Sequence, residues 1–150
     1  MGKFLRRPLV FILSVVVATV LASIFSTQFV IGDLGKAGAP VGFGDRLSMT
    51  AYDIVNLGKL YGIFIFIGLL IAFLAAGLIY WKAQTKRPLI YIVAGMMCFV
   101  VMLHLMKLVF FGVPIIAGAR SIIGLAFQAI AGGIAGYVFA RLTTPKPGAA

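Results

Sequence analysis

No glutamate occurs in the 150-residue chain, and its only acids are three aspartates, Asp33, Asp45 and Asp53. There is one histidine, His104, and one cysteine, Cys98. Each scarcity removes a class of chemistry. All three carboxylates lie in or beside one segment, so paired carboxylates for acid–base work cannot easily converge on a substrate. A lone histidine excludes bis-histidine haem ligation within one subunit, and no metal constellation can be drawn. A lone cysteine excludes an intramolecular disulfide and dithiol redox chemistry, and inside an apolar run it reads as a small packing residue. No serine has a base beside it, and neither a P-loop nor a GxGxxG motif is present. The expected result is a protein with no catalytic group, no cofactor and no metal.

Apolar residues are abundant instead. They make up 63% of the chain, against 11% charged; a soluble domain is typically about 45–50% apolar and about 25% charged. A water-soluble fold of this length has too little interior to hide that surface. Four segments, 9–31, 60–81, 88–106 and 121–140, are free of charge and long enough to cross about 30 Å of hydrocarbon. They must be helices, because lipid offers no partner to a bare peptide group. The sequence therefore predicts an all-α, polytopic membrane protein: one unit, residues 1–150, with four transmembrane helices in an antiparallel bundle. The apolar stretch of the first segment runs well past the small residues near Ala22, longer than the about 7–15 residues of a signal peptide's core, so it reads as an uncleaved helix.

The formal charge is +10. Its basic residues sit at the ends of apolar runs, not in a patch or stripe, which points to membrane flanks and anionic headgroups and away from nucleic acid. Lys3, Arg6, Arg7, Lys82, Lys86, Arg87, Arg141 and Lys146 fall on the side of the N-terminus; Lys36, Arg46, Lys59, Lys107 and Arg120 fall on the other, with all three acids. The excess of Lys and Arg places both termini in the cytoplasm. Tyr80 and Trp81 then lie at the inner interface.

The connections differ. Residues 82–87 are a tight turn. Residues 32–59 are a long outer loop whose second half has helical spacing, with Asp45 as a plausible N-cap; it forms either a short extra helix on the outer surface or an extension of the second helix. Residues 107–120 are too apolar for an exposed loop and either lie at the interface or dip between the helices.

Small residues recur every fourth position: Gly124, Gln128, Gly132, Gly136 and Ala140 in the last segment; Ser14, Ala18, Ala22 and Ser26 in the first; Gly68, Ala72 and Ala76 in the second. Gly132 and Gly136 form a GxxxG pair. Such rows let backbones approach closely, within one molecule or between subunits.

One polar group near the outer side is a candidate site: Asp53, Lys59, His104, Lys107, Arg120 and Gln128. Asp53 is expected to pair with Arg120, leaving Lys59 and Lys107 as surplus charge beside Phe110 and Phe111, a setting for a lipid headgroup. The stretches Gly38-Ala39-Pro40-Val41, Gly118-Ala119-Arg120-Ser121 and Phe139-Ala140-Arg141-Leu142 resemble uncharacterised small four-helix inner-membrane proteins of proteobacteria. That resemblance implies a bacterial inner membrane and brings no activity with it. Small multidrug exporters, by contrast, need a membrane glutamate, and disulfide-forming quinone reductases need cysteine pairs.

The expected role is a non-enzymatic accessory subunit that binds membrane lipid, another membrane protein or further copies of itself. The alternatives are a small oligomeric transporter or channel, which lacks a mid-bilayer charge here, and a lipid- or quinone-acting enzyme, which lacks its catalytic groups. The orientation has a direct check. Reporter fusions at Thr85 and Pro147 should read cytoplasmic and one near Ala39 external; Ala39 and Thr85 on the same side would break the four-span topology.

Overall fold

The computed structural model describes residues 3–83, 86–112 and 116–144. These are helical almost throughout: α1 Lys3–Lys36, α2 Phe43–Ala83, α3 Arg87–Val109 and α4 Ile122–Thr143, with a single 3-10 turn at Ala117–Ala119 before α4. No strand occurs among the described residues. All four helices are long and apolar enough to cross a membrane, the pattern of a multi-pass membrane protein.

The helix ends follow local chemistry. Pro88 occupies the first turn of α3, where its missing N–H costs nothing. Ser121 caps α4: its side chain accepts from the Gly124 N–H at 3.0 Å. Ser121 thus lies just outside the helix. After α3 the chain reverses through two residues with left-handed backbone, Phe111 (φ 55°) and Gly112 (φ 82°).

The segment 46–59 belongs to α2, which is continuous over 41 residues. Of the two readings the sequence allowed there, the extension is present and a separate helix is not. At about 1.5 Å per residue α2 is about 60 Å long, twice the hydrocarbon thickness. Its first turns run alongside the end of α1, where the Gln28 amide donates to Thr50 Oγ1 at 3.3 Å. Of the apolar connection 107–120, residues 113–115 lie outside the described residues. Ile116 is buried, and the 3-10 turn packs on α1 and α4. Phe111, on the near side, is 99% exposed. That connection therefore splits: its end inserts between helices and its beginning faces outward.

Each helix packs mainly on two others: α1 on α2 and α4, and α3 on α4 and α2. Facing residues run in opposite directions. Tyr91 meets Gly136 and Gly95 meets Gly132; Phe11 meets Phe139 and Phe25 meets Phe127. The α3–α4 contact is the tightest. A Cβ on Gly95 would strike the Gly132 carbonyl, one on Gly132 the Gly95 carbonyl, and one on Gly136 the Tyr91 carbonyl. Backbone there touches backbone. Gly124 is equally confined, against the Gly118 carbonyl. On α1, Ser14, Ala18, Ala22 and Ser26 are all buried, so that row is also an inward face.

These contacts set a stability prediction. Gly132→Leu or Gly136→Leu should lower stability by at least about 1–3 kcal/mol, because the side chain must push backbone and not a mobile side chain. Ala126→Leu, on the exposed face of α4, should change little. Equal effects at the two kinds of position in a detergent thermal-shift assay would remove the case for a close-packed glycine face.

Candidate functional site

The residues picked from the sequence do not converge. Asp53 Oδ2 accepts a hydrogen bond from Thr27 Oγ1 at 2.7 Å, not from Arg120. The expected Asp53–Arg120 pair is absent, and the sole ion pair among the described residues is the exposed Lys36–Asp33 at 3.1 Å. The reason is placement. Asp53 lies on α2 facing α1, whereas Arg120 precedes α4, which is not a main neighbour of α2. Asp53 is only half-buried, so a neighbouring hydroxyl and water suffice for its charge. Lys59, Lys107 and Arg120 are exposed, and among the described residues none of their side chains makes a hydrogen bond or ion pair. His104 is exposed too, with Nδ1 2.9 Å from the Val100 carbonyl of its own helix. Three helices present these groups separately.

Gln128 is a core residue and not part of that surface. It is 0% exposed. Its Oε1 accepts from the Tyr61 hydroxyl at 3.1 Å and its Nε2 donates to the Ala22 carbonyl at 3.0 Å. One amide thus joins α4 to α2 and to α1. Nearby, Gly118 N–H donates to Ser26 Oγ at 3.3 Å, fastening the 3-10 turn to α1. Thr27 Oγ1 also lies 2.9 Å from the Ser23 carbonyl, so its one proton is shared between a helix carbonyl and Asp53. Ser23 Oγ, buried beside Gly58, has no partner among the described residues. This polar seam ties helices together. Its one hydroxyl set on a carboxylate is Thr27 on Asp53, and no group of three metal-ligating side chains occurs among the described residues.

The opposite end, where α1 and α3 begin and α2 and α4 end, holds a different arrangement. Each helix contributes one ring to an aromatic cluster: Phe11, Phe73, Tyr91 and Phe139. Phe73 stacks on Phe139 with centroids 4.7 Å apart, and Tyr91 lies 5.2 Å from Phe139 and 5.5 Å from Phe73. Over these rings opens a recess of about 1090 Å³ whose rim carries Arg7, Arg87 and Arg141. Arg87 is half-buried. It donates to Thr143 Oγ1 at 2.8 Å and reaches Thr144 Oγ1 at 3.4 Å. Its guanidinium stands 5.5 Å from the Tyr91 ring and 5.9 Å from the Tyr80 ring. Arg141 donates from Nε to the Tyr137 hydroxyl at 3.0 Å. Sequence reasoning used these arginines only to orient the chain. The available signal was one aromatic per helix at matched depth, next to basic residues with no acid nearby.

A second, wholly apolar groove of about 950 Å³ runs between α2 and α3. Cys98 lies on its wall and meets the position a Cβ on Gly68 would take, so the cysteine is a packing residue. Comparison with family models, with curated proteins and with solved structures gives no match.

The Gln128 junction can be measured. Tyr61→Phe leaves Gln128 Oε1 buried without its donor and should cost about 0.5–2 kcal/mol. A cycle with Gln128→Leu should give a coupling of about 0.6 kcal/mol, at most about 1.7. Strictly additive effects would mean that the hydrogen bond contributes nothing.

Proposed function

We propose that this chain is a non-enzymatic protein of a bacterial inner membrane, an antiparallel four-helix bundle with both termini cytoplasmic, which acts by binding a membrane amphiphile at its basic end. It serves as an accessory or interaction subunit and not as a catalyst. The observation that carries the reading is the recess of Arg7, Arg87 and Arg141 over an aromatic floor. It joins a polar rim to a large apolar interior, which is the division of a lipid itself. Against catalysis stands the use of the buried polar side chains: Gln128, Tyr61, Ser26 and Thr27 are engaged in holding helices to one another. The excess of basic residues at that end supports its cytoplasmic placement.

Native mass spectrometry of protein extracted in mild detergent tests the reading. A retained lipid, lost in harsh detergent together with thermal stability and restored on adding lipid back, is the expected result. A lipid-free protein of unchanged stability would overturn it.

A further inference from the structure

We propose that the recess at the basic end is a site for one anionic phospholipid, its phosphate held by Arg87 and Arg141 and its chains lying over Phe73 and Leu74. The proposal rests on the amphiphile-binding reading above and names the ligand class.

Charge is the first ground. Arg6, Arg7, Lys82, Lys86, Arg87 and Arg141 gather at this end, while all three acids of the chain lie toward the other. Arg87 is withdrawn from water by half yet has no carboxylate, and a partly desolvated guanidinium calls for an anion. Among the described residues none is supplied, and the nearest source in a membrane is a leaflet headgroup.

Geometry is the second. Two threonine hydroxyls and two tyrosine rings hold Arg87 in place, so it is oriented before a ligand arrives. Of five guanidinium N–H groups, two are used by Thr143 and Thr144, and the rest remain to donate. Arg141 commits only its Nε, which leaves both Nη groups. Two such forks match the oxygens of a phosphate diester.

The floor is the third. Phe11, Phe73 and Phe139 line the recess, and Leu74 on its wall is 64% exposed. At about 1090 Å³ the space slightly exceeds the about 300–1,000 Å³ of small-molecule sites. A free phosphate would occupy the rim and leave the apolar floor empty, whereas acyl chains fill it. The source is therefore lipid and not soluble anion.

Trp81, the only tryptophan in the chain, lines the same recess and reports on it. The full-length protein is reconstituted with chain-brominated phosphatidylglycerol or chain-brominated phosphatidylcholine, and quenching of Trp81 is compared. The anionic lipid should quench at several-fold lower mole fraction. Arg87→Gln should reduce that preference about fivefold, as expected for loss of one cation at an anionic surface. Arg141→Gln should act in the same direction and covers the case in which Arg87→Gln misfolds, because among the described residues the Arg141 side chain bonds only to Tyr137, one turn away on its own helix. Lys36→Gln, at the far end, should leave the preference intact. Equal quenching by the two lipids, or an unchanged preference in both arginine variants, overturns the anionic site while leaving amphiphile binding standing. No quenching by either lipid sinks the membrane reading as well. Loss of the phosphatidylglycerol effect on adding millimolar glycerol phosphate would assign the rim to a soluble anion and overturn the lipid.

Discussion

Lipid gives apolar helices no reason to leave it for one another, so association depends on how closely their backbones can come. In this chain that closeness is greatest where Gly95 and Tyr91 of α3 meet Gly132 and Gly136 of α4. The remainder of the packing is referred to that contact. With α4 pressed on α3 through its glycine face, Gln128 points into the interior and Phe139 toward the ring of Phe73 and Tyr91. α1 then closes the other side of α4 along Ser14, Ala18, Ala22 and Ser26, all of them small enough to permit it. α2 presents much more of its surface outward, with Leu60, Ile63, Ile67, Ile71 and Leu74 all exposed.

Small residues have a cost: they fill little volume, and a core built from them alone would specify its register poorly. Two devices restore specificity. In the core the amide of Gln128 has one arrangement that satisfies it, between Tyr61 and Ala22, and away from water an unmet amide is expensive. At the basic end four rings, one from each helix, fill the space that alanine and glycine leave. Sliding α4 by one residue would break both Gln128 bonds and unstack the rings together.

The helices were legible in the sequence because the bilayer makes length and apolarity nearly sufficient: each of the spans 9–31, 60–81 and 88–106 lies within one observed helix, and 121–140 differs only in that Ser121 caps α4. The inward row on α4 was legible too, since residues spaced by four share a helix face. The polar group near the outer side was not, because shared depth along the membrane does not imply proximity. Asp53, His104 and Arg120 lie toward the same end, but depth says nothing of angle around each helix axis, and angle placed Asp53 against Thr27. The recess at the basic end was hidden for the same reason. Arg87 and Arg141 are far apart in sequence, and they share a rim only because α3 and α4 are antiparallel and Thr143 stands beside Arg87.

The two ends of the molecule thus treat charge in opposite ways. At the far end each acid lies among cations, hydroxyls or water: Asp33 beside Lys36, Asp53 on Thr27. Among the described residues its unpaired cations, Lys59, Lys107 and Arg120, are all exposed to solvent. At the basic end cations accumulate and, among the described residues, no acid is in reach, so their self-repulsion favours an anion from outside the bundle. A soluble protein would recruit salt. A membrane protein has a fixed array of phosphates at that depth, and a guanidinium clamped by threonine and tyrosine is placed to meet one of them. In the proposed reading, the same positive excess that sets the orientation of the helices in the bilayer supplies the chemistry with which this end holds lipid.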